Sequence, residues 1–167
     1  MSSFLRMTPL WMIALGVAML GGALVFQYAG GLEPCILCLY QRWPWGIVIG
    51  IGIVAVILLA RGHDWLAGFA TGLGGVVMLA GAAIAAFHVG VEQGWWAGTA
   101  ECGSSALSGG SVSDLTRQLL ATPVVRCDEV AWSLFGISMA GYNFLISLAA
   151  GVLAIAGAVR LTRQPPV

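Results

Sequence analysis

Four long runs free of formal charge dominate the apolar and polar pattern: roughly 10–29, 43–60, 65–87 and 136–159. Each approaches the ~20 residues that a helix needs to cross the hydrocarbon core of a bilayer. Polar positions gather in the short connections 30–42 and Arg61–Asp64, and in one longer stretch, 88–135. This pattern predicts an all-α membrane protein. Its fold is a four-helix transmembrane bundle with two outer loops, forming a single transmembrane domain over 1–167. The first run exceeds the hydrophobic region of a cleaved signal peptide, typically about 7–15 residues, and is read as a retained helix.

The turn Arg61-Gly62-His63-Asp64 is too short to hold a domain, so spans two and three form an antiparallel hairpin. Span two starts at Trp43-Pro44-Trp45, a proline at a helix start flanked by interfacial tryptophans. Pro44 removes a backbone donor and predicts a kink or interruption in any helix arriving from Cys35. Span three is rich in Gly and Ala, which lets helix backbones approach closely in lipid. Asn143, Ser138 and Ser147 in span four are expected to hydrogen-bond between helices. In the long loop, Gly-Ser-rich sequence predicts flexibility. Ser113–Ala121 predicts a short helix capped by Ser113 and ended by Pro123.

Composition agrees with a lipid environment: 59% of residues are hydrophobic and 8% charged, against about 25% charged in soluble domains. Formal net charge is zero, and no nucleic-acid partner is expected. Arg6, Arg61, Arg160 and Arg163 lie on the terminal side; Arg42, Arg117 and Arg126 lie opposite. The bias favours cytoplasmic termini. All four cysteines, Cys35, Cys38, Cys102 and Cys127, then face outward. An even number facing an oxidising compartment reads as disulfides.

Cys35-Ile36-Leu37-Cys38 brings two sulfurs close enough for a small disulfide ring, more a redox element than a staple. If 34–42 is helical, Pro34 takes the first helical position and Cys35 the first turn, with Cys35, Cys38 and Arg42 on one face. A helix N-terminus and a nearby cation both favour thiolate. Arg42 has a plainer reading, snorkelling to lipid headgroups. Cys102 and Cys127 bracket the long loop. A stabilising disulfide there contributes about 3 kcal/mol, whereas polar neighbours on both sides predict exposure and attack by a thiolate. Spacing leaves both readings open. A four-cysteine zinc site needs two close pairs, and only one is present; no metal is expected. His63 and His88 flank span three, about 37 Å apart at ~1.5 Å per residue, too far to share a haem iron. His88, with Glu92 at i+4, either assists a cofactor or caps the helix.

The run Cys35-Ile36-Leu37-Cys38-Leu39-Tyr40-Gln41-Arg42-Trp43-Pro44, the four spans and the spaced cysteine pair resemble the disulfide bond formation protein B (DsbB) family. Phe87-His88-Val89 and Cys127-Asp128-Glu129…Trp132-Ser133-Leu134-Phe135-Gly136 extend the resemblance across the chain. It implies a multi-pass protein of the bacterial inner membrane that reoxidises a periplasmic, DsbA-like thioredoxin-fold dithiol protein. Electrons then pass to membrane quinone, ubiquinone or menaquinone. The resemblance further implies attack by the partner on a Cys102–Cys127 disulfide at Cys102. Cys127 then attacks Cys35, leaving Cys38 as a thiolate facing quinone, with Arg42 and, more weakly, His88 at the quinone. Two alternatives are a quinone reductase similar to vitamin K epoxide reductase and a structural subunit with two staple disulfides. The first is disfavoured because its Cys-x-x-Cys follows the loop pair, whereas here it precedes it.

Overall fold

The computed structural model describes residues 7–102, 111 and 125–163. The helix expected at Ser113–Ala121, and Arg6 and Arg117, lie outside these residues. Helix α1 spans Thr8–Tyr28, α2 Ile36–Tyr40, α3 Arg42–Ala60, α4 Asp64–Glu92 and α5 Met139–Thr162. Among the described residues, four helical segments are long and apolar enough to cross a membrane, with α2 and α3 forming one of them.

The usual inside-out rule for soluble proteins is inverted. Val25, Phe69, Val76 and Leu153 point outward from the helices, while Gln41, Thr71, His88, Asn143 and Ser147 are buried. Lipid solvates the apolar exterior, and polar groups turn inward to find partners. Each span contributes to one core: Met12 from α1, Trp45 and Val48 from α3, Met78 from α4, Ala150 and Ala154 from α5.

The most extensive helix pair is α4 with α5; α3 and α1 complete the bundle. Glycine makes that pairing possible. A Cβ on Gly151 would sit 3.0 Å from the Gly75 carbonyl oxygen and 2.8 Å from Leu79 Cδ2. The backbones therefore touch where a side chain would separate them, as the Gly-Ala-rich third span predicts.

The interruption before span two falls at Gln41, between α2 and α3. Pro44 has no N–H for the Tyr40 carbonyl one turn earlier, so the helical ladder loses that bond. Span ends shift by a few residues from the sequence expectation, and two of the shifts bear on the site. Helix α4 continues to Glu92, which places His88 on a helix rather than in the loop 88–135. The fourth span starts at Met139 rather than 136, because a small β-hairpin precedes it. Its strands, β1 (Ser133–Leu134) and β2 (Ile137–Ser138), pair antiparallel around Phe135-Gly136. Both turn residues have positive φ, 51° and 78°, the two-residue hairpin geometry that matches strand twist. Ser138 then caps α5, its Oγ accepting from the Gly141 N–H at 3.1 Å.

Candidate active site

All four cysteines meet at one end of the bundle. Cys35, Leu37, Val91 and Cys127 are buried together, and Cys38 and Cys102 pack against them. Cys102 and Cys127 form a disulfide with Cα atoms 5.3 Å apart, while Cys35 and Cys38 are free thiols. Cys127 is 1% exposed, which corrects the expectation that both loop cysteines stand in polar surroundings. Its neighbours come from α2 and from the end of α4, so the sequence beside it does not report its environment. Cys102 is the half-buried member of the pair. Polar sequence does flank Cys127 on the surface, where Arg126 pairs with Asp128 and Glu129. The Arg126 guanidinium holds the Asp128 carboxyl below its ordinary range.

Cys35 occupies a different position from the one expected. It is the N-cap of α2, with φ −70° and ψ 168°, and its Sγ accepts the Cys38 N–H at 3.2 Å. An N-cap side chain accepts a backbone N–H of the first turn, and here sulfur takes the role usually filled by oxygen. Pro34 consequently precedes the helix instead of opening it. The Cys38 thiol facing Cys35, then His88 and the Cys38 N–H, outweigh the opposing effect of burial. Together they pull the Cys35 thiol from its ordinary value of 9.0 down to about 4. The resemblance assigns the stabilised thiolate to Cys38; in this geometry the donors converge on Cys35.

His88 is buried between the two cysteine pairs. Its Nε2 lies 3.6 Å from Cys35 Sγ and 3.2 Å from the Cys127 carbonyl oxygen. Glu92 Oε1 is 4.0 Å away, and Glu92 also accepts a hydrogen bond from Ser138 Oγ, joining α4 to the start of α5. On the other side of the ring, Nδ1 is 2.7 Å from Gln41 Nε2. Asn143 Nδ2 donates to Gln41 Oε1 at 2.6 Å. Asn143 Oδ1 accepts from Trp45 Nε1 at 2.9 Å and from Ser147 Oγ at 3.2 Å. His88 is therefore no helix cap.

Arg42 reaches from the start of α3 to the first span. Its Nη1 donates to Gln27 Oε1 on α1 at 2.7 Å. Both Arg42 and Cys38 line a cavity of about 730 Å³ that is walled by Leu20, Phe26, Trp132 and Ile146, with His88 and Glu92 also on its lining. Asn143 lines the cavity and bonds between helices at once. Cys35 Sγ, Cys38 Sγ and a His88 nitrogen lie within 4.8 Å of one another. Cys102 and Cys127 are bonded to each other and stand outside this group.

Gln41, Trp45 and Glu92 carry no site role in the sequence pattern. Glu92 had a signal, its i+4 spacing from His88. Gln41 and Trp45 had none beyond proximity to the cysteine motif.

The family model for "Disulfide bond formation protein DsbB" matches residues 5–157. The chain is 31% identical to disulfide bond formation protein B of Polaromonas naphthalenivorans, covering 92% of this chain and 91% of that one. It is 33% identical to the protein of the same name from Idiomarina loihiensis, over 82% of this chain and 74% of the relative. A third relative of that name, from Methylococcus capsulatus, is 30% identical over 83% and 84% of the two chains. No solved structure matches. The near full-length match, the four membrane-crossing segments and the meeting of both cysteine pairs lead to one conclusion: the chain belongs to the disulfide bond formation protein B family, multi-pass membrane oxidoreductases that form disulfides.

Proposed function

We propose that this protein is a quinone-dependent thiol oxidase of the bacterial inner membrane, with both termini in the cytoplasm. Its partner is a reduced, DsbA-like thioredoxin-fold protein in the periplasm. One observation carries the reading: a single nitrogen, His88 Nε2, lies within 3.6 Å of Cys35 Sγ and 3.2 Å of the Cys127 carbonyl. The outer and inner cysteine pairs are thus neighbours that can exchange a disulfide.

A partner thiolate attacks Cys102, the more accessible sulfur, and Cys127 leaves as a thiolate. The second partner thiol, as thiolate, resolves the mixed disulfide, and the partner leaves oxidised. Cys127 attacks Cys35 of an oxidised Cys35–Cys38 disulfide, and Cys38 leaves carrying the electron pair. Cys102 then attacks Cys127, restoring the outer disulfide and releasing Cys35. Two electrons now reside on the inner pair, the state with Cys35 and Cys38 free and Cys102–Cys127 joined.

The cavity beside the inner pair suits a quinone. Its volume of about 730 Å³ is within the usual range for small-molecule sites, roughly 300–1,000 Å³. Apolar and aromatic side chains suit a ring and an isoprenoid tail, while Arg42 supplies a cation. A bound quinone would supply the two-electron acceptor, either ubiquinone or menaquinone. Arg42, held by Gln27, is the group that would steady negative charge at the acceptor. Cys38, on the same wall, is the sulfur nearest in role.

Purified protein is expected to oxidise a reduced thioredoxin-fold dithiol protein only when quinone is supplied. Arg42→Ala should slow quinone consumption by about 10-fold or more, the scale of one hydrogen bond to a charged group. Thiol exchange at Cys102–Cys127 should be nearly unchanged. Oxidation independent of quinone, or equal losses in both steps, would contradict the reading.

A further inference from the structure

The hydrogen bonds that reach His88 have a fixed direction. An indole N–H can only donate. Trp45 Nε1 therefore meets the oxygen of the Asn143 amide, at 2.9 Å, which turns the Asn143 nitrogen toward Gln41. That nitrogen donates to Gln41 Oε1 at 2.6 Å, leaving the Gln41 nitrogen to face His88 Nδ1 at 2.7 Å. The Leu37 carbonyl, 3.3 Å from Gln41 Nε2, can only accept and requires the same amide orientation. The far side of the ring agrees. Nε2 faces the Cys127 carbonyl oxygen at 3.2 Å, another group that can only accept. Ser147 touches Asn143 through a hydroxyl that donates or accepts, so it does not set the direction.

We infer that Trp45, Asn143 and Gln41 are positioning residues that hold His88 as its Nε2–H tautomer, with that proton directed at Cys35 Sγ and the Cys127 carbonyl. The ring, Gln41, Asn143 and Ser147 are all buried, so water does not compete for these bonds. One N–H then serves both cysteine pairs. It holds the Cys127 backbone in place and faces the Cys35 sulfur, the atom at which the pairs exchange. Only this use of Cys35 rests on the oxidase reading. The state of the ring is a property of the resting protein.

Histidine-selective ¹⁵N labelling tests this directly. The chain has two histidines, and His63→Gln assigns the second signal set. In the resting protein, without quinone or partner, His88 Nδ1 should be unprotonated and Nε2 protonated. Gln41→Glu replaces the amide donor with a carboxylate acceptor of the same shape, and a proton should appear on Nδ1. A proton on Nδ1 in the unaltered protein would overturn the inference without need of any variant. So would an Nδ1 signal left unchanged by Gln41→Glu. A protein with the predicted ring that fails to turn over would contradict the oxidase reading and leave this inference standing.

Discussion

The Cys35 sulfur caps a helix, and in the proposed exchange it is also the atom that Cys127 attacks. The cap bond from the Cys38 N–H, the Cys38 thiol and His88 all favour the charged form. A depressed thiol pKa has a defined sign in linkage. The stabilisation is fully present above the ordinary value of 9.0 and is lost as pH falls through about 4. In the reduced protein, the Cys35 fraction that reacts with iodoacetamide should therefore stay high through pH 6 and fall as pH approaches 4. Mass spectrometry of the alkylated peptides checks this. A midpoint near 9 would show that the donors do not act on Cys35. The motif itself was legible, because Cys-x-x-Cys is a local spacing. The burial of Cys127 was not, because its cover comes from α2 and α4. Nor was the bond from Asn143 to Gln41, which spans 102 positions. An alternation of apolar residues cannot show which buried polar groups pair across a bundle.

The spans were legible as elements because their length and lack of charge suffice to define them. Their ends were less so. Helix α4 runs to Glu92 although the apolar run stops near Phe87, since His88 and Glu92 find partners inside the protein. The hairpin before α5 left a weak signal, Phe135-Gly136, where Phe135 accepts a left-handed backbone. The α4–α5 contact supports the site by setting the spacing of His88 and Asn143, which Gln41 bridges. Gly151→Ala should cost about 1–3 kcal/mol, the usual range for overpacking. Gly50 has nothing within 4 Å of its would-be Cβ. There, Gly50→Ala should be neutral or favourable by up to ~1 kcal/mol through helix propensity. Unfolding in mixed detergent micelles compares the two variants. Equal effects would contradict the close-approach account.

As a whole, the molecule is a lipid-facing bundle with Gln41, His88, Asn143 and Ser147 buried toward the cysteine end. The apolar core of Met12, Val48 and Met78 holds the spans together. Above it, Gln41, His88, Asn143 and Glu92 connect α2, α4 and α5 through hydrogen bonds around the cysteines. The central claim is that electrons pass between the pairs through Cys127 and Cys35. The most direct measurement is to trap that bond in protein carrying both Cys38→Ser and Cys102→Ser, then map disulfides by mass spectrometry without reduction. The account predicts a Cys35–Cys127 disulfide within one chain as the dominant product of mild oxidation. Two free thiols, or links formed only between chains, would contradict it.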